Sequence, residues 1–369
     1  MLISRRQTLA LIGGGSILAA TAGAGTFLAT RTPLKALAPW KSAGIYKEPR
    51  KRALSFAILA PNPHNRQPWI VDLSSENQIT IYRDKKRDLP HTDPHSRQLT
   101  IGLGCFLELL RMAAAEDGYN VDLDLFPEGE DGPVAIANFE PGGKPDNLFA
   151  HVLNRRSTKE PFETRSVPDN LASSLEEFAN IYRDDLTVTA LKKLTWDAWM
   201  LEAMTPETNR ESVELMRLGK AEINQNPDGI DLGGGFLEVL IGFGLLSRKQ
   251  QLDTNSFSFG QGVEIYNTML NATPAYVTIT SKGNSRLDQI EAGRRWIRLN
   301  LATTGMGLAL HPVSQALQEY PEMQMHYNKA HELLAPAGHT VQMLGRLGYG
   351  PIMPPSPRWP VESKIRNAT

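Results

Sequence analysis

Strand-like and helix-like segments alternate in two successive blocks of this 369-residue chain. In the first block, two strand-like segments follow Pro68, and apolar residues recur every three to four positions over 99–116, which predicts a buried helix capped by Gly118. Further strands are predicted over 121–126, 134–139, 275–280 and 341–347, and further helices over 191–204, 212–223 and 288–304. We therefore predict an α+β fold with two halves, 48–150 and 151–369, each a mixed or antiparallel sheet packed with helices.

The composition is that of a folded globular protein, since 41% of the residues are hydrophobic and 21% are charged. Lys and Arg total 39 against 40 Asp and Glu, and this formal net charge of -1 gives no general attraction for a nucleic acid. The single cysteine, Cys105, excludes an intramolecular disulfide and every C-x-x-C metal or redox motif. We expect Cys105 to fill the core.

The N-terminal residues differ in charge from the rest of the chain. No acidic residue occurs before Glu48, and a long uncharged run rich in Gly and Ala directly follows Arg5 and Arg6. This layout resembles a twin-arginine export signal. The resemblance implies that 1–30 engages the twin-arginine translocase and directs the chain to the periplasm, where the run is either cleaved or kept as a membrane anchor. Residues 31–47, with scattered Pro, Gly and Lys, are predicted to form a linker.

The segment 224–262 contains the apolar sequence FLEVLIGFGLL among several glycines. This apolar stretch is too short to span a bilayer, which takes about 20 residues. Two interpretations remain open at this stage. The segment is either a buried helix or a mobile lid over a ligand site, hinged at its glycines.

Familiar nucleotide-binding and catalytic motifs are absent, because the chain has no G-x-G-x-x-G, G-x-x-x-x-G-K-[ST], G-x-S-x-G or H-E-x-x-H. The sequence His91-Thr92-Asp93-Pro94-His95 offers two imidazoles and a carboxylate, but Pro94 breaks the helix that would align them. We therefore predict a polar loop there and no metal site. His64 and His311 have no Cys or Ser nucleophile beside them in the sequence.

The sequence Ala60-Pro61-Asn62-Pro63-His64-Asn65-Arg66-Gln67-Pro68-Trp69 is unusual in its concentration of proline and amide residues. Three prolines fix an extended loop before a strand, and the amide and imidazole side chains face a common space. We predict that this loop holds a polar ligand. Its candidate binding residues are Pro61, Asn62, His64, Asn65 and Gln67.

This loop resembles the A-P-S-x-x-N-x-Q-P-W motif of the FMN-dependent nitroreductases, and later segments resemble further motifs of that family. The segment 155–162 is similar to R-R-S-x-R-x-F, whose basic and hydroxyl groups hold the flavin's phosphate and pyrimidine edge. The segment 305–315 is similar to the turn beside the reactive flavin nitrogen, and the C-terminal residues resemble a terminal strand with a phosphate-binding arginine. The resemblance implies a nitroreductase-like fold, FMN as the cofactor, and the binding residues Arg155, Arg156, Ser157, Lys159, Pro312, Val313, Ser314, Gln315 and Arg358.

The order of two motifs departs from that of ordinary family members, in which R-R-S precedes the A-P-S loop. Ordinary nitroreductases are homodimers whose sites combine residues of both subunits. The reversed order therefore implies a tandem fusion in which two halves form a pseudo-dimer with one complete site. This arrangement resembles the Acg-type branch of the superfamily and implies a monomer. Residues 203–211 are interpreted as an eroded copy of the loop.

The resemblance implies that FMN carries the redox chemistry, so that no catalytic side chain is required. We expect a two-electron reduction of a nitroaromatic, a quinone or a similar small-molecule acceptor in the cell envelope. Because NADH and NADPH are cytoplasmic, we expect a quinol or a membrane redox partner as the electron donor. The alternative is a protein that stores or sequesters FMN without turnover. A third class is a degenerate fold that serves as a partner-binding module.

Overall fold

The computed structural model describes residues 30–366, so the predicted export signal lies outside the described residues except for Thr30. Helices and two antiparallel sheets make up this part of the chain, which confirms the predicted α+β class. The helices are α1 Leu34–Ser42, α2 Pro49–Ala57, α3 Arg97–Glu116, α4 Asp169–Leu175, α5 Asp185–Met204, α6 Pro206–Glu214, α7 Gly219–Gln225, α8 Gly235–Gly242, α9 Arg248–Leu252, α10 Phe257–Asn271, α11 Arg286–Gly305 and α12 Gln324–Leu334.

The first sheet is built from the N-terminal half. Its strands are β1 Trp69–Asp72, β2 Gln78–Arg83, β3 Tyr119–Leu125 and β4 Ala135–Pro141. They pair antiparallel in the order β1-β2-β4-β3, and the predicted hairpin after Pro68 is the β1–β2 pair. Ile79 and Ile81 are fully buried while their neighbours in β2 are partly exposed, as the two-residue period of a half-buried strand requires.

The second sheet is built from the C-terminal half. Its strands are β5 Asn180–Tyr182, β8 Ala275–Ser281, β9 Ala309–Pro312 and β10 Thr340–Gly348, and they pair antiparallel in the order β5-β8-β10-β9. The predicted strands over 275–280 and 341–347 are confirmed. Two short strands, β6 Met216–Leu218 and β7 Ile230–Leu232, form a separate parallel pair.

Helices α3 and α11, both predicted, pack against each other with their backbones in contact. A Cβ atom on Gly104 would lie 2.2 Å from the carbonyl oxygen of Ile290, and one on Gly293 would lie 2.0 Å from that of Ile101. Glycine is therefore required on both helices at this crossing. Among the described residues, α3 alone is long and apolar enough to cross a bilayer. However, 89% of its most apolar stretch is buried inside the protein, which identifies it as a core helix. Cys105 is buried within it, as expected.

The two halves share one hydrophobic core. Trp69 of the first sheet and Phe106 of α3 stack with their ring centroids 4.9 Å apart. The same cluster contains Trp296 of α11 and Leu347 of the second sheet. Both sheets therefore pack against the same hydrophobic core.

The predicted linker over 31–47 is wrong for much of its length, because α1 occupies it. Pro39 lies inside this helix, where local propensity disfavours it. Burial of Ala36 and Trp40 stabilises the helix, and the Trp40 indole N–H donates a hydrogen bond to the carbonyl oxygen of Ser356 at 2.8 Å. Contacts with distant parts of the chain thus outweigh the proline.

The predicted helix over 212–223 is also wrong. Helix α6 ends at Glu214, β6 follows, and α7 begins at Gly219, whose φ of 75° lies in the left-handed region. The predicted helix is interrupted because β6 pairs with β7. The spacing of apolar residues within 212–223 does not show this pairing. Residues 203–211 form the end of α5 and much of α6, so they do not adopt the loop conformation of 60–69.

The segment 224–262 comprises β7, α8, α9 and the beginning of α10. Its interpretation as a buried helix is contradicted, because no residue of α8 is buried. Phe236, Leu237 and Leu240 instead line a cavity. The segment therefore forms part of a cavity wall.

Candidate functional site

A cavity of about 700 Å³ is lined by residues of both halves, a volume within the range of small-molecule sites. Twelve of the fourteen predicted binding residues lie on its wall: Pro61, Asn62, His64, Asn65, Arg155, Arg156, Ser157, Lys159, Pro312, Ser314, Gln315 and Arg358. The loop from the first half thus meets the cationic residues from the second half at one site.

The structure does not bring Gln67 and Val313 to the wall with the other predicted binding residues. Gln67 is fully buried, and its amide accepts a hydrogen bond from the backbone N–H of Trp359 at 2.9 Å and donates one to the carbonyl of Pro227 at 2.7 Å. Both ends of the amide are therefore used to join chain segments. Val313 is buried in a second hydrophobic cluster, and its backbone N–H donates to Leu344 in β10.

The loop 60–69 has a strained backbone. His64, Asn65 and Gln67 have φ angles of 45°, 51° and 51°, in the left-handed region that residues other than glycine rarely adopt. The side chain of Asn62 accepts a hydrogen bond from the backbone N–H of Gln67 at 2.7 Å and thereby closes the turn. Strain of this kind is concentrated at functional sites.

Arg358 is buried against the loop. Its guanidinium donates to the side-chain oxygen of Asn65 at 2.8 Å and to the backbone carbonyls of Leu59, Ala60 and Pro357. Its buried Nε atom has no hydrogen-bond partner. Burial, together with the neighbouring Arg155, lowers the pKa of Arg358 to about 9. A bound anion would relieve both effects.

Arg155 is buried beside Arg358. It donates to the side-chain oxygen of Asn300 at 3.0 Å and to the carbonyl of Leu59 at 3.1 Å, while its Nε atom has no partner. Burial lowers the pKa of Arg155 to about 10. The indole ring of Trp40 lies near both guanidinium groups. Its centroid is 6.0 Å from the Cζ atom of Arg155 and 5.7 Å from the Cζ atom of Arg358.

Two donors on the cavity wall are not engaged with the rest of the protein. Neither the Lys159 ammonium nor the Ser157 hydroxyl has a hydrogen-bond partner within residues 30–366. With the three lining arginines, Lys159 makes four cations at this part of the wall. The nearby acid is Asp231, whose pKa is raised because the surrounding protein removes it from bulk water, while Lys159 opposes that rise. The excess positive charge suits an anionic ligand.

Two neutral imidazoles complete this part of the site. Burial lowers the pKa of His64 to about 4, with Lys159 and Arg66 adding to the effect. Burial also lowers the pKa of His311 well below its ordinary value, and its Nδ1 atom has no hydrogen-bond partner. At neutral pH each ring therefore offers one donor and one acceptor and adds no charge.

Another part of the wall is aromatic and carries an acid. Trp199 and Tyr266 stack with their centroids 4.1 Å apart. Glu202 accepts a hydrogen bond from the side-chain amide of Gln318 at 2.9 Å and a longer one from the hydroxyl of Ser212 at 3.4 Å. Burial beside these neutral groups raises the pKa of Glu202 to about 7.

Several residues of the wall were not predicted from the sequence. Trp40 lies in the supposed linker, and Asp231 and Glu202 lie in segments without a recognisable motif. A large aromatic side chain directly after Pro39 is the local signal that marks Trp40. Asp231 and Glu202 become part of the site only through the tertiary fold.

The segment 91–95 has structural roles. The backbone N–H groups of His91 and Thr92 both donate to the carboxylate of Glu211 at 3.0 Å, and the carboxylate of Asp93 accepts from the N–H groups of Gln98 and Leu99 at the start of α3. Over residues 30–366, no group of three His, Cys, Asp or Glu side chains is arranged to hold a metal ion.

No family model matches the chain. A Mycobacterium tuberculosis protein named "Putative NAD(P)H nitroreductase Rv3131" is 22% identical to it over 340 residues, which cover 85% of this chain and 92% of that protein. Another protein of that organism, "Putative NAD(P)H nitroreductase acg", is 32% identical over 90 residues, which cover 24% of this chain and 27% of that protein. The chain is therefore similar over most of its length to a protein named as a nitroreductase, in agreement with the resemblance that its motifs show.

Two solved nitroreductase structures align with part of this chain. The FMN-dependent nitroreductase NfnB from Mycobacterium smegmatis, solved in complex with NADPH, covers 60% of this chain and 98% of its own, with 14% sequence identity and a TM-score of 0.37. A nitroreductase with bound FMN from Desulfitobacterium hafniense DCB-2 covers 61% of this chain and 100% of its own, with 13% identity and a TM-score of 0.35.

Proposed function

We propose that this protein is an FMN-binding oxidoreductase of the nitroreductase type. One observation carries the proposal. The loop 60–69, which has left-handed backbone angles, and the buried arginines Arg155 and Arg358 line the same cavity of about 700 Å³. The similarity to proteins named as NAD(P)H nitroreductases supports the same function.

The residues present fit the FMN phosphate. Lys159 and Ser157 line the wall without hydrogen-bond partners among the described residues, so these two side chains are the ones that would hold a phosphate dianion. Arg155, Arg156 and Arg358 donate to protein carbonyls and add positive potential to the same wall. Because both atoms of the Asn65 amide are bonded to the segment 357–358, Asn65 acts as a positioning residue for Arg358.

The flavin, when bound, supplies two-electron hydride transfer. The protein contributes binding, orientation and exclusion of water. The neutral rings of His64 and His311 can each donate and accept a hydrogen bond with a polar ligand. Because they are uncharged, they do not attract its phosphate. The carboxyl of Glu202 can hold a proton near neutral pH on the aromatic part of the wall.

The electron acceptor in this proposal is a nitroaromatic, a quinone or a similar small aromatic molecule. The stacked rings of Trp199 and Tyr266 give a planar acceptor an apolar surface on the same cavity. We further propose export to the cell envelope by the twin-arginine translocase, on the strength of the Arg5-Arg6 pair and the uncharged run behind it. The donor is then a quinol or a membrane redox partner.

The two-sheet arrangement supports a tandem fusion in which 48–150 and 151–369 form a pseudo-dimer with one complete site. One sheet comes from each half, and the loop 60–69 joins the segment 155–159 on a single cavity. Because the site is assembled within one chain, the protein can function as a monomer.

FMN storage without turnover is the second candidate function. It is favoured by the apolar helix α8, since Phe236, Leu237 and Leu240 line the cavity and could close over a bound cofactor. A closed lid that excludes acceptors would retain the cofactor and prevent reaction.

The test is an anaerobic reduction of the purified full chain loaded with FMN. We expect menadiol, a soluble quinol, to bleach the flavin absorbance and a quinone or nitroaromatic acceptor to restore it, with NADPH reacting more slowly. Rapid bleaching by NADPH alone would contradict the proposed donor. Resistance to both donors would establish storage, and failure to bind FMN would refute both functions.

A further inference from the structure

Helix α8 is apolar on the side that faces outward as well as on the side that faces the cavity. Phe236, Leu237 and Leu240 line the cavity, whereas Val239 is 40% exposed. In the residues that follow, Phe243 is 78% exposed and Leu245 is 55% exposed. Surface helices of globular proteins normally turn a polar face outward. An apolar outer face marks an interaction surface.

The single charge of α8 is neutralised locally. The carboxylate of Glu238 accepts a hydrogen bond from the backbone N–H of Lys220 at 2.6 Å and forms an ion pair with Arg31 at 3.5 Å. The helix therefore presents no unpaired charge among the described residues. An apolar environment would impose little desolvation cost on this face.

The N-terminal segment joins the described protein at this same face. The Lys220 ammonium donates a hydrogen bond to the carbonyl oxygen of Thr30 at 2.7 Å. Helix α1, whose Leu34 is 61% exposed, packs on α7 from one side, and α8 packs on α7 as well. Residues 7–30 carry no charge and exceed the length of about 20 residues that a membrane span needs.

We propose that the outer face of α8, together with Phe243, Leu245 and Leu34, docks on a lipid bilayer. The occupant is a bilayer because the uncharged segment 7–30 leads to this face and the only charged side chain of α8, Glu238, is paired with Arg31. The apolar side chains would enter the boundary between head groups and acyl chains.

This orientation has a consequence that rests on the proposed function. Because α8 forms both the cavity wall and the docking face, an apolar quinone or nitroaromatic can reach the cavity from the lipid phase. The docking itself does not require FMN or turnover. The two proposals can therefore fail separately.

The test uses a fluorophore at one position and quenchers in the lipid. The native Cys105 is buried, and burial raises the pKa of its thiol to about 12, so it will not compete for a thiol-reactive dye. We would prepare full-length F243C and, as the matched control, L186C, in which the replaced residue is 83% exposed on α5. Each variant is labelled with an environment-sensitive dye and mixed with phosphatidylcholine and phosphatidylglycerol vesicles that carry brominated acyl chains.

We expect the dye at 243 to shift to shorter emission wavelengths on vesicle binding and to be quenched several-fold more than the dye at 186. Because both variants carry the same N-terminal segment, its insertion alone cannot produce this difference. Equal quenching at the two positions would overturn the proposal. A dye at 243 that is already shielded before vesicles are added would also overturn it, because the N-terminal segment or a second copy would then cover the face.

The flavin absorbance of the same samples serves as an independent readout. Retention of FMN by both labelled variants shows that the site has folded. Loss of FMN binding together with selective quenching would refute the proposed function and leave membrane docking intact, and the opposite pair of results would refute docking alone.

Discussion

The side-chain oxygen of Asn65 accepts a hydrogen bond from Arg358 at 2.8 Å, although the two residues are 293 positions apart in the chain. Asn65 also donates to the carbonyl of Pro357 at 3.0 Å, so one amide joins the strained loop to the C-terminal segment. This pair orients the buried guanidinium, and it connects the first half of the chain with the last residues of the second.

Substitutions of Asn65 can separate the side-chain contact from the backbone conformation. N65G removes the acceptor of Arg358 but tolerates the φ of 51°, so FMN binding should weaken roughly 10-fold, as the loss of one charge-assisted hydrogen bond implies. N65A should bind FMN equally weakly and be less stable than N65G by about 1 kcal/mol, because Ala is disfavoured in the left-handed region. FMN titration and urea unfolding measure the two effects. Equal stability of the two variants would show that the backbone angle is unimportant.

Lys159 offers a direct test of the anion site. Its ammonium has no protein partner in the described part of the chain, so K159M should leave the stability of the FMN-free protein unchanged. FMN affinity should fall roughly 10- to 100-fold, as expected for the loss of one hydrogen bond to a charged group. K144M, which removes an exposed lysine, is the matched control and should bind FMN like the wild type. Unchanged affinity in K159M would exclude a phosphate contact at this residue.

The buried acid on the aromatic wall should make stability depend on pH. Since the pKa of Glu202 is raised from its usual value of 4.5 to about 7, the folded state retains a proton that the unfolded state releases. The contribution of Glu202 to stability is therefore present below pH 4.5 and is lost as the pH rises through about 7.

The variant E202Q removes this dependence while keeping an oxygen acceptor for Gln318. It should be more stable than the wild type by roughly 3 kcal/mol at about pH 8, and by less than about 1 kcal/mol at about pH 5. Urea unfolding at both pH values measures the difference, with E264Q on the exposed side of α10 as the control. A stability difference that does not change with pH would mean that Glu202 is already ionised in the folded state at about pH 5.

The crossing of α3 and α11 should not tolerate a side chain. In G293A the new Cβ would lie 2.0 Å from a backbone oxygen of the facing helix, so the helices must separate. We expect a loss of about 3 kcal/mol in the free energy of unfolding. In G260A the new Cβ meets nothing within 4 Å, and this change in α10 should stabilise the protein by up to about 1 kcal/mol. A G293A variant as stable as the wild type would disprove the close crossing.

Helices and strands in which apolar residues recur at a regular spacing were predictable from the sequence. The core helix α3 shows apolar residues at helical spacing, and β8 is a run rich in apolar and β-branched residues. Helix α1 was missed because Pro39 argues against a helix there, and burial of Ala36 and Trp40 against distant parts of the chain stabilises it. The β6–β7 pair was missed because each strand depends on a partner outside its own segment.

The candidate site was predictable where a motif marks it. The motifs identified twelve residues of the cavity wall, including Lys159 and Arg358. Gln67 was assigned to the ligand because an amide in a motif has the same chemistry whether it faces a cavity or joins buried segments. Asp231 and Glu202 have no sequence signal, since their neighbours come from distant parts of the chain.

A comparison of FMN with riboflavin tests the central claim most directly, because the two ligands differ only in the phosphate that the cationic wall would hold. Equilibrium titration of the FMN-free full-length protein, followed by quenching of flavin fluorescence, gives both dissociation constants. We predict that FMN binds at least about 100-fold more tightly than riboflavin, since several charge-assisted hydrogen bonds are lost with the phosphate. Equal affinity for the two flavins, or no binding of either, would contradict the assignment of this cavity as an FMN site.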